Sequence, residues 1–133
     1  MIKKTILCVD DEKIVLDSLK SQLKRNFDGQ FNYEIASGAE EAMEIIDELN
    51  WEGNSIVIIV SDWLMPGIKG DEFLISVHKK FPDIAKYMLT GHADQEAIDN
   101  AFKNANLRRC ISKPWKESDL LDAIKSELEE DCI

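Results

Sequence analysis

The chain has 133 residues, 44% hydrophobic and 32% charged, a length and balance that fit one compact domain and exclude a disordered or collagen-like polymer. Sixteen lysines and arginines against 26 aspartates and glutamates give a net charge of −10, which would repel a phosphate backbone or an anionic lipid surface; direct nucleic-acid binding is disfavoured. The longest unbroken apolar run, Ile56 to Val60, has five residues, far short of the ~20 that a membrane-spanning helix needs, so no membrane association is expected.

Lys3 and Lys4 stand before a short apolar stretch, Ile6 to Val9, but Asp10, Asp11 and Glu12 end it too early for an export signal. Three widely spaced cysteines, Cys8, Cys110 and Cys132, fit neither a disulfide framework nor a four-ligand zinc site. A reducing, cytoplasmic setting is expected.

Taken in chain order, the first predicted strand is Thr5 to Val9, followed by helical spacing at Val15, Leu19 and Leu23. A second strand, Phe31 to Ile35, leads to a helix carrying Ala39, Met43, Ile46 and Leu49, with Ser37 and Glu40 read as its capping box. Ile56 to Val60 is the third strand, and its continuous apolar run marks it as central, buried on both faces. Phe73, Leu74, Val77 and Phe81 define the third helix, which Pro82 stops. The fourth strand is Lys86 to Leu89, the fourth helix carries Ala97, Ile98, Ala101, Phe102 and Ala105, and the fifth strand is Arg109 to Ile111. Leu121, Ile124 and Leu128 make the last helix, with a frayed tail expected from Glu129. Strict alternation of strands and helices predicts right-handed crossovers and an α/β, doubly wound parallel sheet, with residues 1–133 in a single domain.

In such a sheet, ligands bind beyond the carboxyl ends of the strands. There the sequence places Asp10 and Asp11 after the first strand, Asp62 after the third, Thr90 and Gly91 after the fourth, and Lys113 and Pro114 after the fifth. Three neighbouring carboxylates repel unless a cation shares them, and an all-oxygen set without His or Cys favours Mg²⁺ over zinc. Mg²⁺ pairs with phosphate oxygens, so Asp62 is a candidate nucleophile for a phosphoryl group, with Lys113 and Thr90 as its charge and hydrogen-bond partners. A single strand-end aspartate is more often a helix cap; the whole set is what argues for chemistry.

With Asp62 followed by Met65, Pro66 and Gly67, this set resembles a response-regulator receiver domain of the chemotaxis-regulator type, over essentially the whole chain. The resemblance implies a flavodoxin-like sheet of five strands in the order 2-1-3-4-5 with five helices. It implies Asp62 as phosphoacceptor, Mg²⁺ held by Asp10, Asp11, Asp62 and the backbone carbonyl of Leu64, Thr90 as switch hydroxyl, Lys113 as phosphoryl contact, and a cis Lys113–Pro114 bond. It further implies a histidine kinase or phosphotransfer protein as donor, a downstream output domain or protein as reader, and self-association on phosphorylation as an available state. Beyond transfer to and hydrolysis from Asp62, no enzyme activity is implied. Thr90 and Gly91 followed by Ala93 and Asp94, with Lys113, Pro114 and Trp115, are similar to receivers attached to hydrogenase-type transcriptional activators and to cyclic-dinucleotide phosphodiesterases.

Receivers usually carry a Tyr or Phe three residues before the lysine, where this chain has Cys110. The expected switch therefore runs through Thr90 and the loop from Gly91 to Asp94, acting on the fourth helix, fifth strand and fifth helix. Leu64 and His92 hold the positions that in the family tune phosphoryl lifetime. The alternative function, a Mg²⁺-dependent phosphatase with an aspartate nucleophile, calls for a second aspartate two positions after the one ending the first strand, whereas Asp10 is followed by Asp11 and Glu12. A nucleotide or flavin binder lacks its glycine-rich or Ser/Thr-rich loop here, and the intact acid set argues against a phosphorylation-independent interaction module. Of the remaining polar and aromatic residues, Cys8 is read as core packing, Cys132 as a tail thiol, and His92 as an exposed loop residue. Met43, Phe73, Phe81 and Phe102 are assigned to the core, Trp63 and Trp115 to the surroundings of the site, and Glu127, Glu129, Glu130 and Asp131 to a solvated face.

Overall fold

Alternating apolar runs and amphipathic stretches fold as their periods require. The structure is a computed structural model that describes residues 4–53, 55–91 and 95–131. Strands β1 (Lys4–Val9), β2 (Phe31–Ala36), β3 (Ile56–Asp62), β4 (Ala85–Thr90) and β5 (Arg109–Ser112) alternate with helices α1 (Lys13–Asn26), α2 (Ala39–Trp51), α3 (Gly70–Lys80), α4 (Gln95–Asn104) and α5 (Glu117–Asp131). All strand pairs are parallel, in the order β2-β1-β3-β4-β5.

Successive residues of a strand face opposite sides, so the sheet has two cores. Ile6, Ile58, Val60, Tyr87 and Leu89 face α1 and α5, where Leu19, Leu23, Leu120 and Ile124 close over them. Leu7, Val9, Ile59 and Met88 face α2, α3 and α4, meeting Ala42, Ile46, Phe73, Leu74 and Ala101. Ile58, Ile59 and Val60 are fully buried, as expected of a central strand. This doubly covered parallel sheet turns all five carboxyl ends to one edge.

Four expectations need correction. Gly38, not Ser37, caps α2, and the Ser37 hydroxyl donates to Glu41 Oε2 at 2.8 Å, so no capping box with Glu40 forms. Phe102 is 44% exposed, because α4 covers the sheet with the small side chains Ala97 and Ala101 instead. Glu127 is buried, not on a solvated face: its Oε1 accepts from the Tyr87 hydroxyl at 3.2 Å and from Arg108 Nε at 3.1 Å. Helix α5 runs on through Asp131, past the point where fraying was expected. His92, Ala93, Asp94, Cys132 and Ile133 lie outside the described residues.

Candidate phosphoryl-transfer site

At the carboxyl edge, β1 ends at Val9 and the chain places Asp10 immediately beyond it, fully buried. Its two oxygens are both engaged. Oδ1 accepts the Glu12 backbone N–H at 2.8 Å, which turns the chain into α1, and Oδ2 accepts from Lys113 Nζ at 2.9 Å. Asp62, the last residue of β3, takes the same ammonium on Oδ1 at 2.9 Å. Lys113 follows β5 and is joined to Pro114 by a cis bond; its backbone N–H donates to the Thr90 carbonyl at 3.0 Å, joining the ends of β4 and β5. One lysine thus bridges the two buried acids, and exposed Asp11 completes an acid triad whose ligand oxygens all lie within 4.8 Å of one another.

These residues open into a cleft of about 490 Å³ lined by Asp11, Asp62, Trp63, Leu64, Thr90 and Lys113 among others. The electrostatics are those of a site short of positive charge. Burial, reinforced by Asp10 and Asp11, raises the Asp62 pKa above the usual carboxylate value against the opposing pull of the Lys113 hydrogen bond. Burial works against the Lys113 ammonium, but its hydrogen bonds to Asp10 and Asp62 prevail and raise its pKa. Three oxygen donors with two of them buried, and no His or Cys in the cluster, fit a hard divalent cation such as Mg²⁺.

The sequence expectations for Asp10, Asp11, Asp62, Thr90 and Lys113 converge on this cleft, with Leu64 on its rim and 59% exposed. Trp63 lines it as expected. Trp115 does not: its indole donates to Gln22 Oε1 at 2.8 Å and packs toward the α1 and α5 core. Two neighbours were missed. A Cβ on Gly70 would lie 2.2 Å from the Asp62 carbonyl oxygen, so only glycine lets α3 start this close to β3. Asp71, which reads as an ordinary first-turn acid, is buried and accepts from Trp63 Nε1 at 3.0 Å.

Comparison with known proteins decides the family. The sequence profile described as "Response regulator receiver domain" matches residues 6–125. The chain belongs to that family. Among curated relatives, this receiver domain is 31% identical over 125 residues to the hydrogenase transcriptional regulatory protein HoxA of Cupriavidus necator, an alignment covering 94% of this chain and 24% of that protein. Among solved structures, it is similar to the signal receiver domain of an HD domain-containing protein from Pseudomonas fluorescens Pf-5, with a TM-score of 0.85, 25% identity and 96% of each chain covered. It is also similar to a CheY-like receiver domain protein from Methanospirillum hungatei JF-1, with a TM-score of 0.82, 35% identity, 98% of this chain and 96% of that one. The receiver domain spans about a quarter of the length of the hydrogenase regulator. Among the described residues, no helix is long and apolar enough to cross a membrane.

Proposed function

We propose that this receiver domain takes a phosphoryl group from a histidine kinase or phosphotransfer protein onto Asp62 and passes the signal to a downstream output domain or protein. The observation that carries this reading is the single ammonium, Lys113 Nζ, shared at 2.9 Å by Asp62 and Asp10 inside the acid triad. Asp62 is the carboxylate at the end of the central strand, and its Lys113 bond favours the ionised, nucleophilic form. Its oxygen attacks phosphorus, an O–P bond forms as the P–N bond to the donor imidazole breaks, and the imidazole departs with the electron pair. Lys113 and the Thr90 hydroxyl then face the new phosphoryl oxygens.

Asp10, Asp11 and Asp62, with the Leu64 backbone carbonyl, would hold Mg²⁺, which supplies neutralisation of phosphoryl charge. The added charge of roughly −1.5 to −2 draws Thr90 and Lys113 toward Asp62 and works on the surface of α4, β5 and α5, where a second phosphorylated copy can also dock. The role is regulatory and its setting cytoplasmic. Intact mass after treatment with acetyl phosphate and Mg²⁺ tests the assignment: the native chain gains one phosphoryl group and Asp62→Asn gains none. A modification that persists in Asp62→Asn overturns it.

A further inference from the structure

Asp71 links the wall of the Asp62 cleft to α4. It stands in the first turn of α3 and is buried, whereas the neighbouring Glu72 is exposed. A favourable interaction with the helix N-terminus requires no such burial, as Glu72 shows. Asp71 instead commits both oxygens to side chains outside α3: Oδ1 accepts from Trp63 Nε1 in the β3–α3 connection at 3.0 Å, and Oδ2 accepts from Asn100 Nδ2 on α4 at 3.1 Å. Asn100 Oδ1 in turn accepts from Asn104 Nδ2 at 2.7 Å, extending the chain along α4.

At the other end of this chain, Trp63 directly follows Asp62. Its backbone is held from both sides, the N–H donating to the Leu89 carbonyl at 3.0 Å and the carbonyl accepting from Gly70 N–H at 2.8 Å. Any adjustment at this residue therefore falls to the indole, which lines the cleft under Lys69, whose Nζ lies 5.0 Å from the ring centroid. A buried carboxylate bonded to both groups makes their positions interdependent, since leaving either oxygen unpaired is costly.

We propose that Asp71 is a positioning residue that couples the Trp63 wall of the cleft to α4, so that occupation of Asp62 is transmitted to α4 through the chain Trp63–Asp71–Asn100. This rests on Asp62 being the phosphoacceptor. Polar side chains thus provide a route to α4 in addition to that through Thr90.

The test separates occupation from transmission. Beryllofluoride with Mg²⁺, a phosphoryl mimic, is titrated by tryptophan fluorescence, and amide exchange is followed over residues 95–104. The variants are Asn100→Ala, which favours helix, and Asn100→Asp, which keeps the shape but opposes two carboxylates. The native chain responds in both measurements. Both variants keep the fluorescence midpoint within about twofold, while the α4 exchange response falls to about half or less of the native one, the remainder passing through Thr90. A purely structural role would lower the melting temperature and leave that response intact. A full α4 response in either variant overturns the coupling and leaves the phosphoacceptor reading standing; a native chain without any beryllofluoride response overturns both.

Discussion

Lys86 occupies the least comfortable environment of any cation described in the fold. It is 1% exposed, and its ammonium donates to the Ile84 carbonyl at 2.6 Å. Burial, helped by Arg108 and opposed by Asp83 and Glu127, lowers its pKa from 10.5 to about 8; His78 on α3 also feels its charge. Below about pH 8 both folded and unfolded chains carry the proton, and the full cost of the buried charge stands. Between about pH 8 and 10.5 the unfolded chain holds a proton that the folded one has released, so raising the pH removes that cost. Lys86→Met should therefore be more stable than the native chain by roughly 1–3 kcal/mol at pH 7, with the gap closing toward pH 10. Urea denaturation across that range checks it, and a gap that stays constant contradicts it. Tyr33 and Tyr87, both raised by burial, titrate in either chain and cancel in the comparison. Neither Lys86 nor Glu127 was legible as a buried group, because a charge at a strand or helix position looks solvent-facing until its partners from other elements are placed. Asp71 was hidden for the same reason: its partners Trp63 and Asn100 come from β3–α3 and α4.

At the scale of the element, the β3–α3 junction is the least tolerant connection. The Gly70 N–H caps the Trp63 carbonyl at 2.8 Å, and an added Cβ would also approach Trp63 Cα to 2.8 Å. The obstruction is backbone, which cannot swing aside. Gly70→Ala should lower stability by about 1–3 kcal/mol and slow phosphorylation by acetyl phosphate, because α3 must retreat from the strand end that carries Asp62. Thermal melting and intact mass read the two effects; a variant with native values of both would show that the junction yields. Strands were legible here to within two residues from their apolar runs, and helix ends only to within about four, because the apolar positions that mark a helix stop short of its polar first and last turns; the cap of α2 was displaced by one residue. Ser37 and Glu40 have capping-box spacing, but Gly38 takes the cap and Glu41 takes the hydroxyl, a one-residue shift that spacing cannot resolve.

For the molecule as a whole, folding gathers three of the chain's 26 acidic residues into one cluster with a bridging lysine. Like charges at this range oppose folding, and a cation that binds only the folded chain offsets them. Mg²⁺ should raise the melting temperature with the logarithm of its concentration above the dissociation constant, adding about 2.7 kcal/mol of stability at a hundredfold excess. Asp11→Asn should melt higher than the native chain without metal and lose the Mg²⁺ dependence. Calorimetry with and without chelator measures both, and a lower metal-free melting temperature in the variant contradicts the repulsion argument. The acid set was legible because strand ends in a doubly wound sheet share an edge, so topology converts distant aspartates into neighbours. Trp115 was misplaced because adjacency to Lys113 in sequence says nothing of the direction an indole takes, and here it turns to Gln22.

The same layering divides the two described thiols into reagents of unequal use. Cys8 is sealed in the core, its pKa pushed by burial to about 12, and is chemically silent at neutral pH. Cys110 is half-buried in β5 on the sheet face that carries α2, α3 and α4, with its pKa raised by burial alone. Its alkylation is slowed by that packing without being blocked by it. In a Cys132→Ser background, the labelling rate of Cys110 reports how tightly that sheet face is packed, at the residue that stands where relatives place an aromatic ring.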